Sequence, residues 1–304
     1  MRQEKIHVTV IGAGLMGHAI AQVFLAGGHN VYLHDRNREI LADAPGKIRD
    51  IYNLLKQDPS TLINLTCEEA LWDAVQNAEL VIEAGPEKLE IKQAIFAQLS
   101  ELAPDTAILA TNTSAIPIHE VSAKVVNRSR VVGTHFWNPP HLVRLVEVVQ
   151  SDKTALSTVQ RTISLLEGVA MKPVHVKHDI PGFIGNRLQH AMKREAIALV
   201  SAGVCDAETI DTVVKHSFGS RLAILGPMEQ SDLVGLNLTL DILTVLFPTL
   251  DNSTEPPPLL VDKVKRGETG MATGKGFRDW TKESAEQVKN RMRDYLTKQS
   301  SREV

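Results

Sequence analysis

Strand-like segments in this chain stop at one point and do not resume. Short apolar and β-branched runs (6–11, 31–34, 80–82, 107–110, 131–134 and 145–149) alternate with stretches of helical periodicity, and the pattern changes around residues 174–176. Such alternation predicts a mostly parallel sheet covered by helices, because parallel neighbours are joined by crossovers long enough to hold a helix. Beyond Asp179-Ile180-Pro181-Gly182 only amphipathic helices are expected, over 184–201, 207–216, 227–246 and 259–266. The expected architecture is α/β: a sheet domain in residues 1–178, then an all-α C-terminal domain in residues 179–304, with Pro181-Gly182 marking the break. A length of 304 residues suits two domains at roughly 150 residues each. The segment 251–258, DNSTEPPP, reads as a surface loop, since three consecutive prolines cannot lie inside a helix.

Charge and cysteine usage remove several classes of partner. The net charge is -3, so no basic excess is present to hold a nucleic-acid backbone or an anionic membrane. No apolar run approaches the ~18 residues of a membrane-spanning helix. The polar residues Met1 to Lys5 lead straight into the first strand, which leaves no room for a signal peptide, and a cytoplasmic protein is expected. Cys67 and Cys205 are far apart and have no Cys or His neighbours at metal-ligand spacing, so neither a disulfide nor a metal site is expected.

Gly12-Ala13-Gly14-Leu15-Met16-Gly17 fits the pattern G-x-G-x-x-G. The hexapeptide is weak evidence alone, but an apolar strand precedes it, a helical pattern follows, and a second strand ends in Asp35 about 20 residues on. Gly12 permits a tight turn, Gly14 lets the backbone approach a pyrophosphate, and Gly17 allows close helix packing. The helix start offers N–H groups to phosphate, and Asp35 accepts the ribose hydroxyls and repels a 2′-phosphate. NAD is the cofactor this pattern favours over NADP.

A second constellation lies at 133–140, GTHFWNPP, where a strand ends at His135 and two prolines force an extended turn. Strand carboxyl ends are where ligands bind in such sheets. Twelve residues on, Glu147 stands in the apolar run LVEVV, where a charge is costly to bury unless it has a partner. A Glu147–His135 pair resolves that cost and makes His135 a candidate general base. Ser114, in 111–114 (TNTS), and Asn186, in 181–187 (PGFIGNR), follow at a further strand end and at the domain junction. Aromatics make up only 4% of the chain and tryptophans number three; Trp137, two residues from His135, is suited equally to shaping a small substrate pocket and to filling core.

With these residues in order, the chain resembles the L-3-hydroxyacyl-CoA dehydrogenase family over nearly its whole length. The likeness also takes in Gly226-Pro227, 232–235 and Thr273-Gly274-Lys275-Gly276-Phe277. It implies a Rossmann-type NAD-binding domain and oxidation of a secondary 3-hydroxyl to a ketone. His135 is then the base, Glu147 its orienting partner, and Ser114 and Asn186 the groups on the substrate oxygen. By the same resemblance Glu87, Lys92, Asn112 and Asn138 lie near the cofactor, no metal is required, and the helical domain forms a homodimer.

Departures from the family pattern bear on the substrate. The stretch between Asp35 and Leu80 is short and poor in lysine where the acyl-CoA enzymes carry a longer lysine-rich helical pair, Ala272 replaces a lysine, and Lys275 replaces a glutamate. Residues 220–225, SRLAIL, resemble relatives acting on small free acids, such as L-gulonate and pyridine-carboxylate dehydrogenases, and Arg221 there is suited to grip a carboxylate. A small free hydroxy acid is therefore the expected substrate, with a 3-hydroxyacyl-CoA thioester as the alternative. A non-catalytic, crystallin-like NAD-binding protein is the reading from another class.

Overall fold

The structure is a computed structural model that describes residues 5–302. Its eight strands are β1 (His7–Ile11), β2 (Asn30–His34), β3 (Leu65–Glu68), β4 (Leu80–Glu83), β5 (Ile108–Thr111), β6 (Val131–Phe136), β7 (Leu145–Val149) and β8 (Lys172–Val176). They form one sheet in the order β3-β2-β1-β4-β5-β6-β7-β8. Every neighbouring pair is parallel except β6 with β7.

Burial of both faces follows from the period of two along each strand. Leu80 and Ile82 of β4, with Ile108 and Ala110 of β5, join one core, against Ile20 and Phe24 of the helix Gly17–Ala26. Val81 and Leu109, which point the other way, join a second core against Phe96 and Leu99 of the helix Leu89–Leu102. Truncating a fully buried ring such as Phe24 to alanine would cost about 3–5 kcal/mol. From β1 the chain runs outward through β2 and β3, then returns to β4 on the other side of β1. That reversal opens a crevice at the carboxyl ends of β1 and β4, where open parallel sheets bind ligands.

Three local features differ from the sequence expectation. Strand β3, of sequence LTCE, is an edge strand paired only to β2, too short and polar for periodicity to reveal. The helix expected over 227–246 is two helices, Pro227–Val234 and Leu236–Leu246. Gly235 between them has φ +93, which no α-helix can continue, and the chain bends there by 111°. Of the three prolines, Pro258 begins the helix Pro258–Lys265, a first-turn position whose N–H would have no partner within the helix.

The chain divides into two compact units. One comprises the sheet with its helices as far as Asn186, joined by the chain from Arg293 onward; the other is Arg187–Met292. In the second unit Ala285 is the sole buried residue, although its helices carry many large apolar side chains. Among the described residues no single helix is long and apolar enough to cross a membrane, and both cysteines are free.

Candidate active site

The glycine turn has the shape its sequence implies. Gly12 has φ +99, and a Cβ there would meet the Ala84 carbonyl oxygen at 2.8 Å; a Cβ on Gly17 would lie 1.6 Å from the Gly12 oxygen. Around Gly14 nothing lies within 4 Å of a Cβ position, so the turn is closed at both ends and open in the middle. Leu15 is exposed, and the helix starting at Gly17 has Met16 at its N-cap with no side-chain cap; the His18 N–H makes only a long bond of 3.4 Å to the Gly14 oxygen, which leaves the helix start open to an outside acceptor. Asp35 reaches back to this turn, accepting from the Ala13 N–H at 2.8 Å through Oδ2 and from the Asn37 N–H through Oδ1. An open cradle, an uncapped helix start and a carboxylate at the end of β2 fit the pyrophosphate and ribose of NAD.

His135 and Glu147 are directly opposed in the antiparallel register of β6 and β7. The hairpin thus explains a spacing of twelve residues that no single helix or strand would bring together. His135 Nδ1 lies 2.7 Å from Glu147 Oε2, and both side chains are buried. Glu147 Oε1 accepts from the N–H groups of Ile184 and Gly185, at 2.9 and 3.0 Å. Burial pushes the Glu147 carboxyl up, but the hydrogen bonds from His135, Gly185 and Ile184 outweigh it and hold the group below the usual glutamate value. Facing an ionised carboxylate, Nδ1 carries the ring proton, and Nε2 is left as the nitrogen with a lone pair.

Two aromatic rings enclose the imidazole. The centroid of Trp137 is 5.4 Å from that of His135 and the centroid of Phe183 is 5.8 Å away. Trp137 packs so closely on Gly185 that a Cβ there would fall 2.3 Å from its Cζ2, and its indole N–H is buried with no acceptor among the described residues. Phe183, buried and held at φ +49, belongs to the linker that also carries Asn186. This linker is tied to the neighbouring loop where the Gly182 N–H donates to the Ala115 oxygen and where Asp179 accepts from the backbone N–H of His119 and pairs with its ring.

The loop after β5 holds the remaining polar groups. Asn112 Oδ1 accepts the Phe136 N–H at 2.9 Å, which ties this loop to the end of β6 and fixes the orientation of the amide. Asn186 Nδ2 donates to the Ser114 carbonyl at 3.0 Å, so the two residues do meet. Ser114 donates its N–H to Glu87 Oε1 at 2.9 Å; the same oxygen accepts from the Ala115 N–H and the Thr113 hydroxyl. Burial raises the Glu87 carboxyl, but these donors and Lys92 outweigh it and hold it below its usual value.

Lys92 is buried and lies 3.4 Å from Glu87 Oε2, but its nearer partner is Glu83, at 3.0 Å from both carboxylate oxygens. Glu83, the last residue of β4, is fully buried and was not among the expected site residues. The signal was present: like Glu147, it follows an all-apolar strand run. Asn138 is exposed beside the histidine hairpin. Arg221 belongs to the second unit, exposed after a short turn of 3-10 helix, and its guanidinium makes no ion pair among the described residues.

Comparison with known proteins settles the lineage of this site. Residues 7–180 match the NAD-binding domain of 3-hydroxyacyl-CoA dehydrogenase and residues 182–280 match its C-terminal domain. The chain belongs to the 3-hydroxyacyl-CoA dehydrogenase family. Matched relatives are NAD-dependent oxidoreductases acting on CH–OH, and this chain is an enzyme of that class. The chain is 33% identical to the 5-formyl-3-hydroxy-2-methylpyridine 4-carboxylate 5-dehydrogenase of Mesorhizobium japonicum, over 91% of each chain. It is 34% identical to a probable 3-hydroxybutyryl-CoA dehydrogenase of Bacillus subtilis, over 91% of this chain and 98% of that one. A solved 5-formyl-3-hydroxy-2-methylpyridine 4-carboxylic acid 5-dehydrogenase, described as an NAD+ dependent dismutase, superposes with a TM-score of 0.90 at 31% identity, covering 97% of both chains.

Proposed function

We propose that this dehydrogenase oxidises the 3-hydroxyl of a small free hydroxy acid to a ketone with His135 as general base. The observation that carries the reading is the opposed His135–Glu147 pair, which leaves Nε2 with a lone pair at a strand end. His135 Nε2 takes the hydroxyl proton while the C–H electron pair leaves as hydride. The nicotinamide of bound NAD supplies the acceptor for that hydride. Glu147 holds the ring orientation and stabilises the imidazolium that forms, a contribution of about 10²–10⁴ in rate for base and partner together. Ser114 and Asn186 hydrogen-bond the oxygen as its charge develops, with Asn112, Asn138, Glu87 and Lys92 alongside the cofactor.

Two features support a free acid over a CoA thioester: the likeness to a pyridine-carboxylate dehydrogenase and an exposed Arg221 with no internal ion pair. The near-equal identity to a 3-hydroxybutyryl-CoA dehydrogenase keeps the thioester as the second reading. The helical unit serves a homodimer, since Leu233, Leu236, Leu240 and Val245 are among many large apolar side chains it leaves exposed.

An NADH-linked assay of 3-hydroxy carboxylates against 3-hydroxybutyryl-CoA tests the substrate class. The expected result is preference for a free acid, with KM raised about 10–100-fold in Arg221→Ala through loss of a charge-assisted contact. Strong thioester turnover that survives Arg221→Ala would overturn it.

A further inference from the structure

We propose that Glu83 is a positioning residue for the reaction, acting on Ser114 through Lys92 and Glu87. The proposal rests on the reading of Ser114 as a group on the substrate oxygen.

Glu83 is wholly buried at the carboxyl end of β4, and its carboxylate accepts four hydrogen bonds from three donor groups. Oε1 accepts from the Gly85 N–H at 2.7 Å and from Lys92 Nζ at 3.0 Å; Oε2 accepts from Lys92 Nζ at 3.0 Å and from the Thr111 hydroxyl at 2.7 Å. Thr111 is its cross-strand partner in the register of β4 and β5, so the carboxylate joins the two strand ends nearest the site. Beyond Lys92 stands a second carboxylate, Glu87, at the longer distance of 3.4 Å through Oε2. The Oε1 of Glu87 carries the loop, with the Ser114 N–H at 2.9 Å, the Ala115 N–H at 3.1 Å and the Thr113 hydroxyl at 2.6 Å.

One buried ammonium is thus shared unequally between two carboxylates. Glu83, which engages Lys92 with both oxygens, keeps it from closing on Glu87, and Glu87 stays free to hold the backbone of Ser114. Once Glu83 is neutral, Glu87 is the sole anionic partner within reach of a buried ammonium, which cannot stay unpaired in a low dielectric. Lys92 then closes on Glu87 Oε2, the carboxylate rotates, and its hold on the Ser114 and Ala115 N–H groups is lost. Displacing a catalytic group by about 1 Å costs on the order of 100-fold in rate.

The test uses the full-length protein, Glu83→Gln, and two readouts. Amide hydrogen exchange, measured without cofactor, is expected to rise at Ser114 and Ala115 by about tenfold or more while β4 and β5 keep their protection. With whichever of 3-hydroxybutyrate and 3-hydroxybutyryl-CoA is the better substrate, kcat is expected to fall, but Glu83→Gln added to Ser114→Ala should cost nothing further. A full additional loss in the Ser114→Ala background, or exchange that rises across both strands instead of in the loop, overturns the proposal. Should Glu83→Gln fail to fold, Glu83→Gln with Lys92→Met removes both buried charges at once. Loop exchange within about threefold of wild type in that variant is expected, and exchange still raised there equally overturns it. If Ser114→Ala alone leaves kcat unchanged, it is the reading of Ser114 that fails.

Discussion

Leu33 and Leu240 are the same side chain in opposite circumstances. Leu33, in the middle of β2, is fully buried among Val10, Phe24 and their neighbours, whereas Leu240, on the helix Leu236–Leu246, is 66% exposed. The contrast extends to whole units: the sheet unit has two cores, one on each face, while the helical unit has a single buried alanine. Fully burying one large aliphatic side chain is worth about 1.5–3 kcal/mol, so a helical unit that leaves its aliphatic side chains partly buried or exposed gains less from its own packing than the sheet unit does. The sheet unit is complete by itself and contains the His135–Glu147 pair with every group joined to it. The helical unit leaves many large apolar side chains exposed, and on the proposed reading a second copy covers them.

The largest expected effect breaks that contrast from the helical side. Leu236 and Leu240 lie four residues apart on one helix face, and replacing both by glutamate should raise the dimer dissociation constant about a thousandfold, because buried unpaired charges cost several kcal/mol. Light scattering should then report a monomer; an unchanged dimer would mean that this face is not the interface.

A second change probes the sheet unit at its tightest point. Gly185→Ala places a methyl group where Trp137 now sits and disturbs the N–H that holds Glu147. Turnover should fall roughly 100-fold with the dimer intact by scattering, and turnover within twofold of wild type would show that Trp137 does not position His135.

The smallest effect is a pH slope. Burial, with a smaller push from His18, holds His141 down to about 4 against an ordinary 6.5. Between those values the unfolded chain binds a proton that the folded chain does not, so its contribution to stability is full above 6.5 and is lost as pH falls toward 4. Thermal unfolding of His141→Asn should show a shallower loss of Tm across that window than wild type, and an identical slope would contradict the assignment.

What could be read from sequence follows the range of the physics involved. The glycine turn was legible because steric demands at Gly12 and Gly17 are local and leave a mark at those positions. The His135–Glu147 pair was legible because a charge in an apolar strand requires a partner and few were available. The carboxylate of Glu83 obeys the same rule, but it sits at a strand end, where an acidic side chain usually reaches solvent, and its partner Lys92 is singled out only by the family resemblance, as a residue near the cofactor. Gly235 is harder still: a glycine inside a helix costs only about 1 kcal/mol, so its presence did not announce that the chain turns there by 111°. Phe183 carries no signal, since its position against His135 depends on the whole course of the linker.

The most direct test of the chemistry is to measure NAD affinity and turnover on one preparation of His135→Ala. The predicted result is an NAD dissociation constant within about threefold of wild type, because the glycine turn and Asp35 are untouched, together with a kcat lower by about 10²–10⁴. A kcat within tenfold of wild type, with NAD bound as before, would show that His135 is not the base.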